Sequence, residues 1–349
     1  MVAQAQPVAS GLPADVAVDW LQRPDAAITR AEAGGVAAGG RLYVFGGQYS
    51  GIKQTARSDR FDPATDTWTR LADLPELITH APIVADGQTL WILGGYVGFE
   101  KKDSSPRVWK YDIPTNTYSA GPPLPAPRGA GGAAIVGRQL HYLGGAVRQD
   151  STGAPVTDAA EHWVLELDGG TTWIPSAPLP APRNHVGTAV LGGEIYLVGG
   201  QFGEFERTTP QVRVDAFDTS TGTWSRKADL PVARGHIGAS TFVSDGRIIT
   251  LGGSVAGGQA SRTLFQYTPG TNTWTTRTDL PEGLRSPVAD VVGDEVIVSG
   301  GRNSVGPTLT TWSGRWSSPP NGARARGRPT RPASPATRWW SGSSSPHGR

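Results

Sequence analysis

The sequence predicts an all-β chain of six four-stranded repeats that closes on itself, and three observations carry this prediction. The doublet Gly-Gly ends a short apolar run six times: RLYVFGG at Gly47, TLWILGG at Gly95, QLHYLGG at Gly145, EIYLVGG at Gly200, RIITLGG at Gly253 and EVIVSGG at Gly301. Successive doublets lie 48, 50, 55, 53 and 48 residues apart, a period that marks stacked supersecondary units. The first five are each followed by a turn phrase ending in an aromatic: FDPATDTW to Trp68, YDIPTNTY to Tyr118, LELDGGTTW to Trp173, FDTSTGTW to Trp224 and YTPGTNTW to Trp274. The third observation lies at the ends. Trp20 precedes the first doublet by 26 residues, the interval that follows Trp68, Tyr118, Trp173 and Trp274, so VAVDWLQR reads as a fourth strand without its own first three. The sixth doublet is followed by a third strand, TLTTW, and by nothing that fits a fourth, so the two partial units complete each other and remove the open edges.

Each element has a local reason. The first strand of a repeat begins near RGAGGAAIV, RNHVGTAVL or RGHIGASTFV, where small side chains permit close approach at a crowded axis. The second is the apolar run, stopped by glycines that reach backbone conformations denied to other residues. The third ends in Phe61, Tyr111, Phe217 or Tyr267, and turn formers such as Asp62-Pro63 and Pro269-Gly270 lead into the fourth. There the Trp can cover the outer core. Repeat 3 departs, with Leu167 in the aromatic position and a turn one residue shorter. Repeat 5 has two extra residues, placed by the pattern in TFVSDGRIITLGG.

Strand, Gly-Gly, a strand ending in Tyr-Asp or Phe-Asp, turn and Trp together resemble the kelch family of β-propellers over about residues 16–313. The resemblance implies a six-bladed kelch β-propeller whose last blade is closed by the N-terminal strand. The chain then divides into an extension at 1–13, the propeller at 14–313 and an Arg/Pro/Ser-rich segment at 314–349. That last segment carries Trp339 and Trp340 and is expected to be disordered; a basic arm and the product of a frame change are the other readings of it.

Composition bounds the function. Among 349 residues there is no cysteine, which excludes disulfides and thiolate metal sites. No apolar run approaches the roughly 20 residues that cross a bilayer. The net charge of +2 hides a split, because seven arginines beyond residue 312 leave residues 1–312 at −5. A nucleic-acid footprint over the body is therefore not expected. The start, MVAQAQPVASGLP, reads as a mature secreted terminus, and an extracytoplasmic monomer is expected.

The connection into each first strand and the connection from second to third strand share one face, so their residues can meet around one mouth. An arginine recurs about 16 residues before the doublet, at Arg30, Arg128, Arg183, Arg234 and Arg285, with Ile78 in repeat 2. Such a column either ties strands to neighbouring backbone or converges on an anion. Two residues on stand His80, His185 and His236. Three histidines suggest zinc, but strands around a channel are expected to hold them too far apart, so neither metal nor cofactor is expected. Asn184 and Gln201 complete the polar side of the mouth. In the next connection Glu204, Glu206 and Arg207 could move a proton on a sugar.

Within the family, galactose oxidase needs a tyrosine cross-linked to cysteine, which this chain cannot supply. The sialic-acid mutarotases are similar in size and need no cofactor. The resemblance therefore implies a binding module for a carbohydrate or an acidic protein segment at one mouth. The alternatives are a cofactor-free epimerase or mutarotase, with Arg183 or Arg234 holding a carboxylate, and an interaction scaffold.

Overall fold

A computed structural model describes residues 18–99, 102–203 and 208–316. The expected extension at 1–13, residues 317–349 with Trp339 and Trp340, and the candidates Glu204, Glu206 and Arg207 lie outside the described residues. Among the described residues the chain is almost wholly strand and turn, with 3-10 turns at Gly238–Ser240 and Ala256–Gly258. No described helix is long and apolar enough to cross a membrane.

The repeating unit is a four-stranded antiparallel sheet. The first comprises Gly34–Ala38, Arg41–Phe45, Ser58–Asp62 and Thr67–Arg70, and the second Ile83–Asp86, Thr89–Leu93, Val108–Asp112 and Thr117–Ala120. The third runs through Gly132–Val136, Gln139–Leu143, His162–Glu166 and Ile174–Pro175, and the fourth through Gly187–Leu191, Glu194–Val198, Val214–Asp218 and Thr223–Arg226. The fifth is Thr241–Ser244, Arg247–Leu251, Leu264–Thr268 and Thr273–Arg277. The sixth takes Val288–Val292, Glu295–Ser299 and Thr311–Trp316, and its outer strand is Val18–Arg23 from the other end of the chain. Val18 faces Trp316 and Arg23 faces Thr311 in this antiparallel pair. Arg23 also joins Glu295 at 2.7 Å and Asp66 at 2.9 Å.

Apolar residues at alternate positions of each sheet fill the space against the next. Tyr43 and Phe45 pack with Leu90, Ile92 and Tyr111 between sheets 1 and 2. Leu42, Val44 and Phe61 pack with Val288, Val292 and Ile297 between sheets 1 and 6. Burying each such side chain contributes about 1.5–3 kcal/mol, which makes these layers the main source of stability.

The doublets stitch the repeats together. The second glycine of each donates its N–H to a carbonyl at the start of the following repeat: Gly47 to Ile78, Gly95 to Arg128, Gly145 to Arg183, Gly200 to Arg234 and Gly253 to Leu284. Gly301 donates likewise to Arg30, from the last repeat to the first. The approach explains the glycine: Gly94 has φ +59°, and an added Cβ would lie 2.4 Å from the Arg128 carbonyl oxygen. The fourth-strand aromatics tie back in the other direction. Trp68, Trp173, Trp224 and Trp274 each donate their indole N–H at 3.0 Å to a carbonyl of the preceding connection.

Four details differ from the sequence pattern. In repeat 3 Leu165, not Leu167, faces Leu140 as Phe61 faces Leu42 in repeat 1, so the turn to Trp173 is one residue longer and not shorter. The extra residues of repeat 5 form the 3-10 turn Gly238–Ser240 ahead of the first strand, rather than lying inside the hairpin. The strand Thr311–Trp316 runs three residues past Ser313, where the repeat pattern stops. The long connection of repeat 3 forms a hairpin, Ala146–Gln149 with Ala154–Asp158. That hairpin joins Asp103–Ser104 and two more short strands of repeat 2 in a five-stranded sheet over the mouth.

Candidate functional site

On one face the two kinds of connection pair directly. Bridges join Ala31 to Gln48, Thr79 to Tyr96, Gly129 to Ala146, Asn184 to Gln201, Gly235 to Ser254 and Arg285 to Arg302. The residue just inside each bridge turns the chain sharply into the first strand. These six residues are Glu32, His80, Ala130, His185, His236 and Ser286, and all have left-handed φ between +50° and +58°. That region is unfavourable for side chains other than glycine, so neighbouring structure must hold it. Here the N–H of His80 donates to the Glu32 carbonyl, that of Ala130 to His80 and that of His185 to Ala130, at 3.0, 2.8 and 2.7 Å. All six line the end of a cavity of about 330 Å³ walled by the first strands. Farther in, the walls are small or apolar except for Thr188, Thr241 and Asp290. Asp290 accepts the N–H of Ala37 from sheet 1 at 2.8 Å, and burial pushes its carboxyl up.

The three histidines meet, which corrects the expectation that strands around a channel would keep them apart. Ring centroids lie 4.9 Å apart for His80 and His185 and 4.0 Å apart for His185 and His236. The left-handed turn is the reason: it swings each side chain off its strand and onto the common axis. Glu32 completes the group, with carboxylate oxygens 3.3 Å from His80 Nε2 and 3.4 Å from His236 Nε2. Glu32, His185 and His236 offer ligand atoms within 4.8 Å of one another. Burial raises the Glu32 carboxyl, opposed chiefly by Arg285, whose Nε is 3.8 Å away. Burial also holds His80 and His236 well below the usual imidazole range and His185 at about 3, so all three are neutral at pH 7.

The arginine column divides. Arg183 is fully buried and donates to the carbonyls of Gly199, Ala181 and Leu197, with Asp215 at 3.0 Å. Arg30 reaches the carbonyls of Val44 and Arg57 and pairs with Asp59. Arg128 pairs with Glu161 at 2.6 Å beside the Trp163 ring, and Arg234 lies over the Phe265 ring. These four are used inside the fold and do not converge on the mouth. Arg285 alone of the column turns to it, about one-third exposed, and donates to His236 Nε2.

Asn184 and Gln201 act as brackets. Asn184 donates to Asp158 and accepts from His185 Nδ1, while the Gln201 amide donates to the Gly203 carbonyl at 3.2 Å. Asp158 also accepts the Gly203 N–H at 2.9 Å and thereby fixes the loop. Sequence reasoning missed Glu32, Asp290, Lys102 and Arg302. The signal for Glu32 was available, since it stands two residues beyond Arg30 in the same column as the histidines. Lys102 and Arg302 sit in connections of irregular length, where no column exists to read.

The Kelch motif profile matches residues 29–75, 79–125, 182–231 and 237–281, just over half of the chain. These are repeats 1, 2, 4 and 5. Kelch-like protein terF of Aspergillus terreus is 29% identical over 245 residues, 65% of this chain and 50% of that protein. Kelch repeat-containing protein At3g27220 of Arabidopsis thaliana is 24% identical over 82% of this chain and 72% of its own length. Kelch-like protein 35 of Mus musculus is 28% identical over 60% of this chain and 33% of its own. The chain thus spans about half the length of the first relative and a third of the last. With four matched repeats and an all-β architecture of repeated four-stranded sheets, the chain belongs to the kelch-repeat family of β-propellers.

Proposed function

We infer that the chain is a six-bladed propeller closed by its N-terminal strand, and that it binds a protein segment on the mouth face. The closure rests on the pairing of Val18–Arg23 with Thr311–Trp316 and on the Gly301 to Arg30 hydrogen bond. The binding reading rests on one observation. Of the seven exposed large apolar side chains among the described residues, Tyr49, Ile52, Phe99 and Val305 all lie in second-to-third-strand connections of repeats 6, 1 and 2. Such clustering on one rim marks an interaction surface, whereas scattered exposed residues would not.

Cations are interleaved with this rim. Lys53 Nζ is 5.8 Å from the Phe99 ring centroid, and Arg302 donates to the Gly51 carbonyl at 3.2 Å, joining repeat 6 to repeat 1. An apolar rim with basic groups suits a segment carrying an aromatic or aliphatic anchor next to Asp or Glu. The test is fluorescence anisotropy with such a peptide and with a copy carrying Lys for its acidic residues. The acidic peptide should bind, more weakly at high salt, and Ile52→Ser with Phe99→Ser should weaken it at least about tenfold. Equal binding of both peptides, or no effect of the double variant, would refute the reading.

A carbohydrate could use the same aromatic rim, and an acidic oligosaccharide forms the control arm of that titration. The epimerase alternative loses a specific support, because Arg183 and Arg234 are buried and cannot hold a substrate carboxylate.

A further inference from the structure

We propose that Glu32, His185 and His236 form a binding site for a divalent transition metal of the zinc class at the axial mouth, with Arg285 occupying the cation's place when no ion is bound. The argument starts from hydrogen positions. Thr79 Oγ1 donates to the Glu32 carbonyl at 2.8 Å, so it must accept from His80 Nδ1, 2.9 Å away. Asn184 Oδ1 accepts from His185 Nδ1, because the Asn184 amide nitrogen is directed at Asp158. Arg285 donates to His236 Nε2, leaving His236 Nδ1 to donate to Ser254 Oγ at 3.1 Å. Each imidazole therefore carries its proton on Nδ1 and presents an Nε2 lone pair to the axis. Metal-binding histidines are held in this way, with the second nitrogen anchored to an oxygen.

The lone pairs of His80 and His185 thus face the Glu32 oxygens, while that of His236 accepts from Arg285, the cation that now sits beside the group. His185 Nε2 is buried with no hydrogen-bond partner, although the ring is 94% removed from solvent. The spacings suit an ion. Tetrahedral zinc with bonds of about 2.0–2.1 Å sets its ligands roughly 3.3–3.5 Å apart. Glu32 and His236 are already 3.4 Å apart, and the third ligand atom lies within 4.8 Å of both. His80 Nε2 lies 3.3 Å from the other Glu32 oxygen, outside this set of three ligands. Imidazole nitrogens select zinc, copper or nickel over calcium and magnesium.

The opposing charges are Arg285, Lys102, Arg148 and Arg302, all of which act on Glu32 or His80. Arg148 is paired with Asp150 at 2.7 Å, and the Lys102 ammonium lies 2.6 Å from the Gln48 amide oxygen once that amide is turned to face it. Arg285 is the direct competitor. Its partly exposed head has a route to solvent, so an ion can displace it.

The test uses the full chain, freed of metal by a chelator, titrated with Zn²⁺ against a chromophoric indicator and with Co²⁺ by visible absorption. One ion per chain and the intense bands of tetrahedral Co²⁺ are expected. His185→Gln and, separately, His236→Gln should each weaken binding about tenfold or more. Arg285→Gln should strengthen it by about tenfold, because a positive charge beside the ion is removed. Melting curves without metal identify variants that fold, and the two histidine variants and Arg285→Gln report independently. Absence of one-to-one binding in both wild type and Arg285→Gln overturns the proposal, as does unchanged affinity in a folded histidine variant. The peptide titration above does not depend on this result.

Discussion

Removing residues 1–23 takes the outer strand from the sixth sheet, and its cost can be worked from the structure. Val18 is buried against sheet 5 and sheet 6 residues, and losing it forfeits about 2 kcal/mol. Glu295, nearly buried, loses Arg23 Nη2, which spans both its oxygens, and keeps Arg315 at 2.7 Å, a loss of about 3 kcal/mol. The ladder facing Thr311–Trp316 contributes on the order of 1 kcal/mol per hydrogen bond, but ordering six residues costs about as much, so these terms roughly cancel. The net is about 5 kcal/mol. At about 0.6 kcal/mol per kelvin of unfolding entropy for some 300 residues, the melting temperature should fall about 8 °C. The assay is calorimetry of this truncation beside one ending at Ala17, so that the difference reports Val18–Arg23 alone. Melting temperatures within about 2 °C of each other would refute both the pairing and its energetics.

Two further outcomes follow from buried polar groups. His141 Nδ1 donates to His162 Nε2 at 2.9 Å in the layer between sheets 3 and 4, and burial holds the two at about 3 and about 4. Unfolded histidines titrate near 6.5, so below that pH the unfolded chain binds more protons and stability falls as pH drops from about 6.5 toward 4; urea unfolding should show a loss of about 2 kcal/mol per buried histidine by pH 5, and His141→Leu/His162→Leu should remove the share of these two and leave that of His80, His185 and His236. Arg183→Met should cost about 3 kcal/mol or more in denaturant unfolding, because it removes three donations to backbone carbonyls and the Asp215 contact, yet leave peptide affinity unchanged since Arg183 does not reach the mouth.

The repeats were legible because glycine and tryptophan sit at positions the geometry restricts tightly. A Cβ at Gly94 has no room, and each strand-four indole needs both an apolar cover and a carbonyl acceptor. The partnership of the two chain ends was legible for the same reason, through the constant interval from Trp20 to its doublet. The mouth was legible only by column. His80, His185 and His236 were visible as a set, but their convergence depends on a left-handed turn that no residue type announces, since Ala130 and Glu32 adopt it too. The arginines show the converse: one column, periodic in sequence, divides into four buried ties and one partly exposed side chain at the mouth. Their common spacing records the shared path of the chain and not a shared task.

The six left-handed residues at the mouth set a rule about change. At His80, Ala130 and His185 hydrogen bonds between successive repeats brace the turn, which holds Ala130 at φ +55° and His185 at φ +50°. Each position is a socket whose backbone is indifferent to the head group it carries, so the chemistry at the axis can be exchanged one repeat at a time while the scaffold stays as it is. The indifference has a steric limit. Asn and Asp tolerate this conformation, whereas Val, Ile and Thr do not. Short polar or imidazole side chains are therefore admitted and branched apolar ones are turned away, so the backbone bounds which ligands this mouth can evolve to hold.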